Sequence, residues 1–593
     1  MRRIRQSCWK RFACRPALLL LAIAVASAAV ADEFGETRAA VVMRDGVRLD
    51  THVYLPAGRD RFPVLLTRSP YELQYAMTAG ERAFFLARGY AIVMQNTRGR
   101  YASEGVFDPF RREAQDGQDT LDWIVGQPWS NGKVGMFGAS YGAFNQWVVA
   151  HAGHPSLRAI MPAFGMANAY EFVYAGGTFR LRQWTDWGAN LAAPYTFDRK
   201  TFSARLDEIN RVLPVVEQDR HIGFELPFVR DWLAHPEYDR YWQLAGIGGD
   251  YAAIGVPAYS IGGWYDMLLG NTLRDFVAMS SAEFDPDVRA RQYLIVGPWS
   301  HIIRPWPWAP DYDGRLGEID FGPEAVLDMQ SIRLAFFDRY LKADDDVSTE
   351  RSRVRIFVMG INEWRDEQEW PLARAQFRKF YFDSGGDANT AAGNGMLSAD
   401  LPAPGPPDRY VYDPGEPVPS TADGTSFSPM VTYPHAHTTI ERRQGVLVYT
   451  SEPLEHALEV TGPVEVVLYA ASSAVNTDFT AKLLDLHPDG KAYNLCEGIV
   501  RASFRDGNKN VSTIVPGEVY EYHIDLTATS NVFLPGHRLR VHVSSSNFPQ
   551  FDRNPNTALH PGLTAETRPA EQTVYHDPDR PSHIVLPVVE RSE

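Results

Sequence analysis

Cysteine is scarce in this sequence, because the 593 residues contain only Cys8, Cys14 and Cys496. The first two lie in an N-terminal segment that we expect to be removed, which would leave a single thiol. One thiol cannot form an internal disulfide, so a small disulfide-stabilised fold is excluded. Cys496 lies in the strand-like stretch YNLCEGIVRASF, where we expect a packed core thiol and not a low-pKa catalytic cysteine.

Long apolar runs are also missing, apart from one near the N-terminus. Residues 1–16 carry six positive charges and no acid, and the stretch ALLLLAIAVASAAVA then ends on the small-x-small pattern Ala29-Val30-Ala31. This stretch is shorter than the ~20 residues of a membrane-spanning helix, which favours a cleaved signal peptide over residues 1–31 and disfavours an uncleaved anchor. We therefore expect a periplasmic or secreted protein without stable membrane insertion.

Positively charged residues are fewer than negatively charged ones. The chain has 58 lysines and arginines against 73 aspartates and glutamates, and loss of the basic leader would make the remainder more acidic still. Such a surface argues against nucleic acid as a partner, because phosphate binding needs clustered basic residues. The hydrophobic fraction of 45% and the charged fraction of 22% are those of a globular protein, and the length predicts two or three domains.

Short, nearly continuous apolar runs indicate strands that are buried on both faces. They are FPVLLT (62–67), YAIVMQ (90–95), VGMFG (134–138), VPAYSIGG (256–263) and QYLIVG (292–297). A hairpin pattern around Asp45-Gly46 precedes them, and helical patterns such as GERAFFLARG and AFNQWVVAHA separate most of them. Strands alternating with helices predict an α/β fold with a parallel sheet.

Two further regions have different patterns. Residues 163–250 are rich in aromatic residues and contain no buried-strand run, which predicts a helical cap inserted into the α/β domain. Beyond residue 345 the apolar period becomes two, as in VRIFVMG and VEVVLYA, which predicts a jelly-roll-like β-sandwich. The predicted division is a signal peptide (1–31), two α/β segments (32–162 and 251–345), the cap (163–250) and the sandwich (346–593).

Residues 134–147, VGMFGASYGAFNQW, place Ser140 between two glycines, directly after a predicted buried strand and before a predicted helix. The Gly-x-Ser-x-Gly pattern alone is common in turns, where a serine can simply cap the following helix. A strand before it and a helix after it are the setting of a nucleophile elbow, which lifts the hydroxyl above the sheet. We therefore interpret Ser140 as a catalytic nucleophile.

A catalytic serine needs a general base, and the base needs an orienting carboxylate. In a fold of this kind both follow the serine in the order acid, then histidine, each just past a strand end. Asp266 follows VPAYSIGG and His301 follows QYLIVG, so these two residues are the candidates. The rivals Asp275, His151 and His154 lie on predicted helices, away from a strand end.

Six longer strings resemble those of a known family: RSPY (68–71), GYAIVMQNTRGRYASEGVF (89–107), DGQDTLDWIVGQPWSNGKVGMFGASYG (116–142), GGWYD (262–266), GPWSH (297–301) and EPVPSTADG (416–424). They make the chain similar to the cocaine esterase and X-prolyl dipeptidyl aminopeptidase (CocE/NonD) family of serine hydrolases. The resemblance covers nearly the whole chain beyond residue 31. It implies an α/β-hydrolase domain with an inserted helical cap and a C-terminal jelly-roll β-sandwich domain.

The resemblance also implies roles for individual residues. Ser140, Asp266 and His301 match the family's nucleophile, acid and base. Tyr71 matches the tyrosine whose hydroxyl shares the oxyanion hole with the backbone N–H after the serine, here that of Tyr141. Cleavage of a small ester or amide through an acyl-enzyme is then expected, without a metal or other cofactor. A homo-oligomer is compatible with the sequence.

The sequence defines the substrate pocket less well. Trp264 and Trp299 flank the predicted catalytic loops and Trp187 lies in the predicted cap, so these three residues could line an aromatic acyl pocket or simply pack between domains. The stretch Asp266-Met267-Leu268-Leu269 lacks the acidic residues that hold the substrate ammonium in relatives acting on α-amino acid esters, although Asp186 of the cap could replace them.

Four readings of function follow from these patterns and from the resemblance. Hydrolysis of an ester or amide bond of an acyl substrate is favoured over two related activities, those of an α-amino acid ester hydrolase and of an X-prolyl dipeptidyl aminopeptidase. An alternative of another class is a glycan-binding protein with a vestigial hydrolase domain, because the predicted sandwich resembles carbohydrate-binding modules in pattern.

Overall fold

The structure is a computed structural model that describes residues 35–591, except for 59, 194–196, 282, 284, 302–311, 343–351 and 422–433. The predicted signal peptide, residues 1–31, lies outside the described residues. Among the helices of the described part, none is both long and apolar enough to span a bilayer.

The chain begins with a hairpin and then builds most of a sheet. Its first strands are β1 (Glu36–Val42), β2 (Arg48–Tyr54), β3 (Phe62–Ser69), β4 (Ala91–Asn96), β5 (Ser130–Ala139) and β6 (Leu157–Ala163). β1 and β2 pair in antiparallel around the predicted Asp45-Gly46 turn, whereas β3 pairs in parallel with β4 and β5. All residues of β3 and β4 are buried, which explains why their sequences are nearly continuously apolar.

Helices connect these strands, and the patterns GERAFFLARG and AFNQWVVAHA predict two of them. The helices are Leu73–Ala76, Ala79–Leu86, Glu113–Val125 and Tyr141–His151. The last of these is buried on every side from Tyr141 to Ala150. A helix buried on every side needs neighbours on every side, and this one lies against β5, β6 and the helix Glu113–Val125.

Residues 164–257 are mainly helical. Their helices are Tyr170–Val173, Leu181–Ala192, Arg199–Asn210, Gln218–Ile222, Pro227–Ala234 and Arg240–Gln243, with a short hairpin of β7 (Tyr174–Ala175) and β8 (Thr178–Phe179). Aromatic side chains fill the space between them. Trp184, for example, packs edge-on against Phe172 and Trp232, with ring centroids 4.5 and 4.6 Å away.

The sheet resumes after these helices. The next strands are β9 (Ala258–Tyr265), β10 (Gln292–Ser300), the short hairpin β11 (Arg315–Leu316) and β12 (Ile319–Asp320), β13 (Val354–Val358) and β14 (Glu363–Glu367), with intervening helices Leu269–Met279, Pro286–Arg289 and Met329–Phe337. The ten-stranded order is β1-β2-β4-β3-β5-β6-β9-β10-β13-β14. β10 pairs in parallel with both β9 and β13.

The segment VRIFVMG lies outside the sandwich, to which its period-two pattern assigns it. It forms β13 of the first sheet, where Val354 and Ile356 pair in parallel with Leu294 and Val296 of β10. A period-two pattern fits a strand in either sheet, so the pattern could not assign this strand to one of them. The first sheet therefore extends past the predicted boundary at residue 345.

Eleven strands form a second sheet, which is folded into the predicted β-sandwich. They are β15 (Gln376–Asp383), β16 (Met396–Ser398), β17 (Asp408–Tyr412), β18 (Leu447–Thr450), β19 (Leu458–Ser472), β20 (Asp478–Leu486), β21 (Ala492–Arg501), β22 (Tyr520–Phe533), β23 (Arg538–Ser544), β24 (Ala570–Tyr575) and β25 (His583–Val589). Cys496 lies buried in β21, and burial raises the pKa of its thiol, so it is a packed core thiol.

One hydrophobic cluster runs through both sheets. It joins Leu294 and Val296 of β10 to Val466 and Leu468 of β19. The two sheets therefore share an apolar core, and the carboxyl ends of β9 and β10 are held close to the sandwich. The fold is an α/β-hydrolase domain joined to a β-sandwich.

Candidate active site

Ser140 lies at the turn between β5 and the helix Tyr141–His151. Its backbone has φ 58° and ψ −119°, a conformation that non-glycine residues rarely adopt. The turn is also crowded, because a Cβ on Gly138 would lie 3.3 Å from the Cα of Gly142. The Ser140 side chain makes no capping hydrogen bond with the helix, so the helix-cap interpretation does not account for this serine.

The structure brings Ser140, His301 and Asp266 together. Nε2 of His301 lies 2.9 Å from Oγ of Ser140, and Nδ1 lies 2.8 Å from Oδ2 of Asp266. A carboxylate only accepts hydrogen bonds, so Nδ1 carries the proton and Nε2 accepts from the serine hydroxyl. The three residues follow β5, β9 and β10, whose carboxyl ends meet at one edge because these strands run parallel.

Packing fixes the orientation of the imidazole and the carboxylate. Asp266 and His301 are 6% and 3% exposed. The second carboxylate oxygen of Asp266 accepts a hydrogen bond from the backbone N–H of Leu268 at 2.5 Å, and Phe164 packs edge-on against the His301 ring. Exclusion of water strengthens the electrostatic interaction between the carboxylate and the imidazole.

Tyr71 reaches the same site from the loop after β3. Its hydroxyl lies close to the Ser140 side chain and accepts a hydrogen bond from Nε1 of Trp187 at 2.8 Å. Burial raises the pKa of Tyr71, which keeps the phenol protonated and able to donate. The N–H of Trp187 occupies one lone pair of the Tyr71 oxygen, so the Tyr71 O–H can turn toward a group bound at Ser140.

Tyr141 contributes its backbone N–H to the site and its side chain to the core. As the first helical residue, it carries an N–H without a partner inside the helix, next to Ser140. Its fully buried phenol donates to Oε1 of Glu113 at 2.8 Å and accepts from the N–H of Phe110 at 3.0 Å. Glu113 in turn pairs with Arg68 at 3.0 Å. This network anchors the start of the helix beneath the serine.

The three tryptophans proposed for the acyl pocket have other contacts. Trp299 is fully buried and donates to the carbonyl of Ala325, so its ring packs in the core, and its place in an acyl pocket stays a prediction. Trp264 is 3% exposed and donates to the carbonyl of Phe357, although it also borders a cleft of about 440 Å³ between the helical region and the sandwich. Both tryptophans lie on strands that are covered on two faces, so their rings pack in the core.

A second Ser-His-Asp chain lies at the opposite edge of the sheet. Ser156, just before β6, bonds Nδ1 of His154 at 2.7 Å, and Nε2 of His154 lies 3.1 Å from Asp122. Asp122 is 75% exposed. Ser156 precedes a strand, whereas Ser140 follows one. This chain has no strained elbow and no helix start beside its serine, and it provides a natural comparison for the first.

Arg100, the last residue of NTRGR (96–100), holds the loop that carries Tyr71. Its Nε donates to the carbonyl of Pro70 at 2.8 Å, and Nη1 donates to the carbonyl of Leu191 in the helical region. Arg100 thus joins the Tyr71 loop to the helix that carries Trp187. The sequence gives no sign of this role for Arg100, because nothing in a lone Arg-Gly-Arg indicates which carbonyls it will bind.

Comparison with known proteins identifies the family. Residues 45–303 match the X-Pro dipeptidyl-peptidase (S15) family, and residues 346–585 match the C-terminal non-catalytic domain of X-Pro dipeptidyl-peptidases. Cocaine esterase of Rhodococcus sp. (strain MB1 Bresler) is 40% identical over 580 residues, which cover 93% of this chain and 98% of that relative. The chain belongs to the cocaine esterase and X-Pro dipeptidyl-peptidase family. It is therefore a serine hydrolase, and the resemblance found in the sequence is confirmed.

Solved structures agree with this family membership. An aminopeptidase from the marine sediment archaeon Thaumarchaeota archaeon has a TM-score of 0.80 at 25% identity, covering 99% of both chains. An α-amino acid ester hydrolase has a TM-score of 0.80 at 27% identity, covering 94% of this chain and 97% of that one. These matches extend over both sheets and confirm the fold class.

Proposed function

We propose that this family member hydrolyses small esters through an acyl-enzyme on Ser140. Nε2 of His301 takes the hydroxyl proton as Oγ attacks the carbonyl carbon, and gives that proton to the departing alcohol as the ester C–O bond breaks. Water then adds to the acyl carbon while His301 takes its proton, and the proton returns to Ser140 as the acid leaves. The hydrogen-bonded chain Asp266–His301–Ser140 is the observation that carries this proposal.

The negative charge on the tetrahedral intermediate needs donors that are already in place. We propose the Tyr71 hydroxyl and the Tyr141 backbone N–H for this role. The contact of Tyr71 with Ser140 and the position of Tyr141 at the helix start support both assignments. In this proposal Asp266 does not take up a proton and acts by holding the His301 tautomer.

Substitution of the serine tests the mechanism. Ser140→Ala is expected to lower kcat for a p-nitrophenyl ester by about 10⁴-fold or more, with the melting temperature nearly unchanged. Ser156→Ala is the matched control, because it removes the hydroxyl of the other Ser-His-Asp chain and should leave kcat unchanged. Near-full activity of Ser140→Ala would contradict the proposal.

We propose an ester without an α-ammonium group as the preferred substrate. Met267 and Leu268 follow Asp266 where an ammonium would need a carboxylate. In the helical region, Asp186 accepts a hydrogen bond from Asn190 at 3.1 Å, and burial raises the pKa of its carboxyl. A raised pKa disfavours the charged form that would attract an ammonium.

A substrate profile separates this preference from the alternatives in the same family. The purified protein is assayed with p-nitrophenyl esters of aliphatic and aromatic acids, an α-amino acid methyl ester and an X-Pro anilide. We expect the highest kcat/KM with the simple esters. Faster hydrolysis of the α-amino ester or the anilide would identify an α-amino acid ester hydrolase or a dipeptidyl peptidase instead.

The sequence also left open a glycan-binding protein with a vestigial hydrolase domain, and membership in a family of serine hydrolases disfavours that alternative. The hydrogen-bonded chain at Ser140 disfavours it as well, since a vestigial site has no need to keep three side chains aligned. A glycan-binding screen run beside the esterase assay decides between them. Turnover that is abolished by a serine-directed phosphonate, without glycan binding, favours the enzyme.

We also propose that residues 163–250 act as a cap over the active site and that residues 1–31 direct export. Support for the cap comes from Trp187 and Leu191, which contact Tyr71 and Arg100 across the site. The basic and apolar pattern of the first 31 residues supports export. N-terminal sequencing of protein recovered outside the cytoplasm should begin close to residue 32.

A further inference from the structure

Two histidines and an aspartate meet at one edge of the sandwich, outside the active site. Asp485 belongs to β20, His487 directly follows that strand, and His537 directly precedes β23. The two strands pair in antiparallel, with Asp485 opposite Leu539 and Leu486 opposite Arg538. One further step of this register places His487 opposite His537. Since side chains alternate between faces, all three residues lie on the same face.

The three side chains approach each other closely. One ligand atom of each lies within 4.8 Å of the ligand atoms of the other two. Nδ1 of His537 is 2.8 Å from Oδ1 of Asp485, Nε2 of His487 is 3.7 Å from Oδ2, and the two imidazole centroids are 4.3 Å apart. Ligands of a tetrahedral zinc ion lie roughly 3.3 Å from one another, given its bond lengths. Small side-chain shifts would therefore suffice for coordination.

Hydrogen bonding within the cluster does not account for all three residues. The contact between Asp485 and His537 is a good hydrogen bond, but 3.7 Å from Asp485 to His487 is too long for one. The His487 side chain is 31% exposed, so water can complete the coordination from the solvent side.

Charged groups of both signs lie around the cluster. Asp489 and Lys491 lie on the turn after His487, and both interact electrostatically with the His487 imidazole. The Lys491 ammonium lies 3.7 Å from a carboxylate oxygen of Glu318, which offsets part of its charge. A divalent cation between the ligands would therefore meet the Asp485 carboxylate without an uncompensated ammonium opposing it.

We propose that Asp485, His487 and His537 bind a divalent transition-metal ion, with Zn²⁺ as the best fit. Two imidazoles and one carboxylate suit zinc and the late first-row metals, whereas Ca²⁺ and Mg²⁺ prefer oxygen ligands alone. The ion ties the turn after β20 to the turn before β23. These turns already touch, because a Cβ on Gly536 would lie 3.6 Å from Cγ of Pro488. The role is structural and does not depend on the esterase mechanism.

Calorimetric titration of the chelator-treated full-length protein with ZnCl₂ tests this site. We expect one ion per chain with a dissociation constant of about 10 µM or lower, and a rise in melting temperature on binding. His487→Ala and Asp485→Asn should each weaken binding at least about tenfold. His456→Ala is the control, because this exposed histidine lies outside the cluster and should leave binding unchanged.

Two further readouts keep the result decisive. Co²⁺ in place of Zn²⁺ should give visible absorption bands of a low-symmetry site, and these bands should disappear in His487→Ala. Because His487 makes no hydrogen bond to Asp485, this variant tests the metal without removing the contact between Asp485 and His537. Absence of binding at 1 mM Zn²⁺, or binding that all the cluster variants retain, would overturn the proposal.

Discussion

The orientation of the Tyr71 phenol at the active site depends on the indole of Trp187. Trp187 donates to the Tyr71 hydroxyl, which leaves the phenol proton for a group held at Ser140. From the sequence, Trp187 is a candidate for the acyl pocket, because its position in an aromatic helix indicates burial but not a partner. A hydrogen bond between residues 116 positions apart has no local signature in the sequence. Tyr71 itself was found only through the resemblance to the family.

Tyr71→Phe tests this residue's share of catalysis. Loss of one oxyanion donor is expected to lower kcat by about 10²- to 10³-fold with a much smaller change in KM, because the hydrogen bond forms mainly in the transition state. Stopped-flow or steady-state kinetics with a p-nitrophenyl ester measure both constants. Tyr75→Phe, on an exposed tyrosine nearby, is the control. Equal kinetics for Tyr71→Phe and the control would remove Tyr71 from the mechanism.

At the scale of elements, the turn between β5 and its helix positions the nucleophile. Gly138 has φ 146° and approaches Gly142 so closely that even a methyl group would crowd the backbone. The sequence predicted this turn correctly, since buried strand, small residues and helix follow each other without a gap. It also predicted β3, β4, β9 and β10, because strands buried on both faces are continuously apolar.

Other elements could not be predicted in this way. β6 was missed, since Arg158 and Pro162 interrupt its apolar run LRAIMPA. β13 was predicted as a strand but placed in the wrong sheet, because its partner β10 lies about 60 positions earlier in the chain. Pairing partners, unlike strand character, are set by the whole fold.

Gly138→Ala tests the geometry of the elbow. We expect kcat to fall at least about tenfold and the free energy of unfolding to fall by about 1–3 kcal/mol, because the added Cβ displaces Gly142 and the helix start. Gly132→Ala in the same strand is the matched control, since Gly132 also has positive φ but no atom lies within 4 Å of an added Cβ. Chemical denaturation and ester kinetics on both variants measure the effects. A full kcat in Gly138→Ala would show that the close approach does not position Ser140.

At the scale of the whole molecule, buried polar groups hold the parts together. Asp275, on the helix after β9, accepts hydrogen bonds from the Tyr251 hydroxyl at 2.6 Å and from the N–H of Ala167 at 3.0 Å. Both partners lie at the ends of the helical region, so one carboxyl joins that region to the sheet. Burial raises the pKa of Asp275 to about 8. From the sequence, Asp275 was an alternative candidate for the catalytic acid. In the structure it instead joins the helical region to the sheet.

The raised pKa of Asp275 predicts how stability depends on pH. Between its ordinary pKa of 3.8 and about 8, the folded chain binds a proton that the unfolded chain has lost. This group therefore makes the free energy of unfolding fall as pH rises through that window, by up to about 1.4 kcal/mol per pH unit. Below the window its contribution is fully present, and above about 8 the loss is complete.

Urea denaturation from pH 5 to 8 measures this slope. Asp275→Asn, which cannot ionise, should have a flatter profile than the unsubstituted protein. Asp250→Asn is the control, because Asp250 is exposed nearby and its removal should leave the slope in place. Parallel profiles for Asp275→Asn and the unsubstituted protein would show that Asp275 does not titrate in the window.

The central claim is that Ser140 is the residue acylated during turnover. A serine-directed phosphonate followed by peptide mass spectrometry tests it most directly, since the reagent adds to the activated serine alone. We expect one adduct per chain, on the peptide that contains Ser140, with loss of esterase activity in proportion to labelling. An adduct on Ser156 or another serine, or undiminished labelling of Ser140→Ala, would contradict the account.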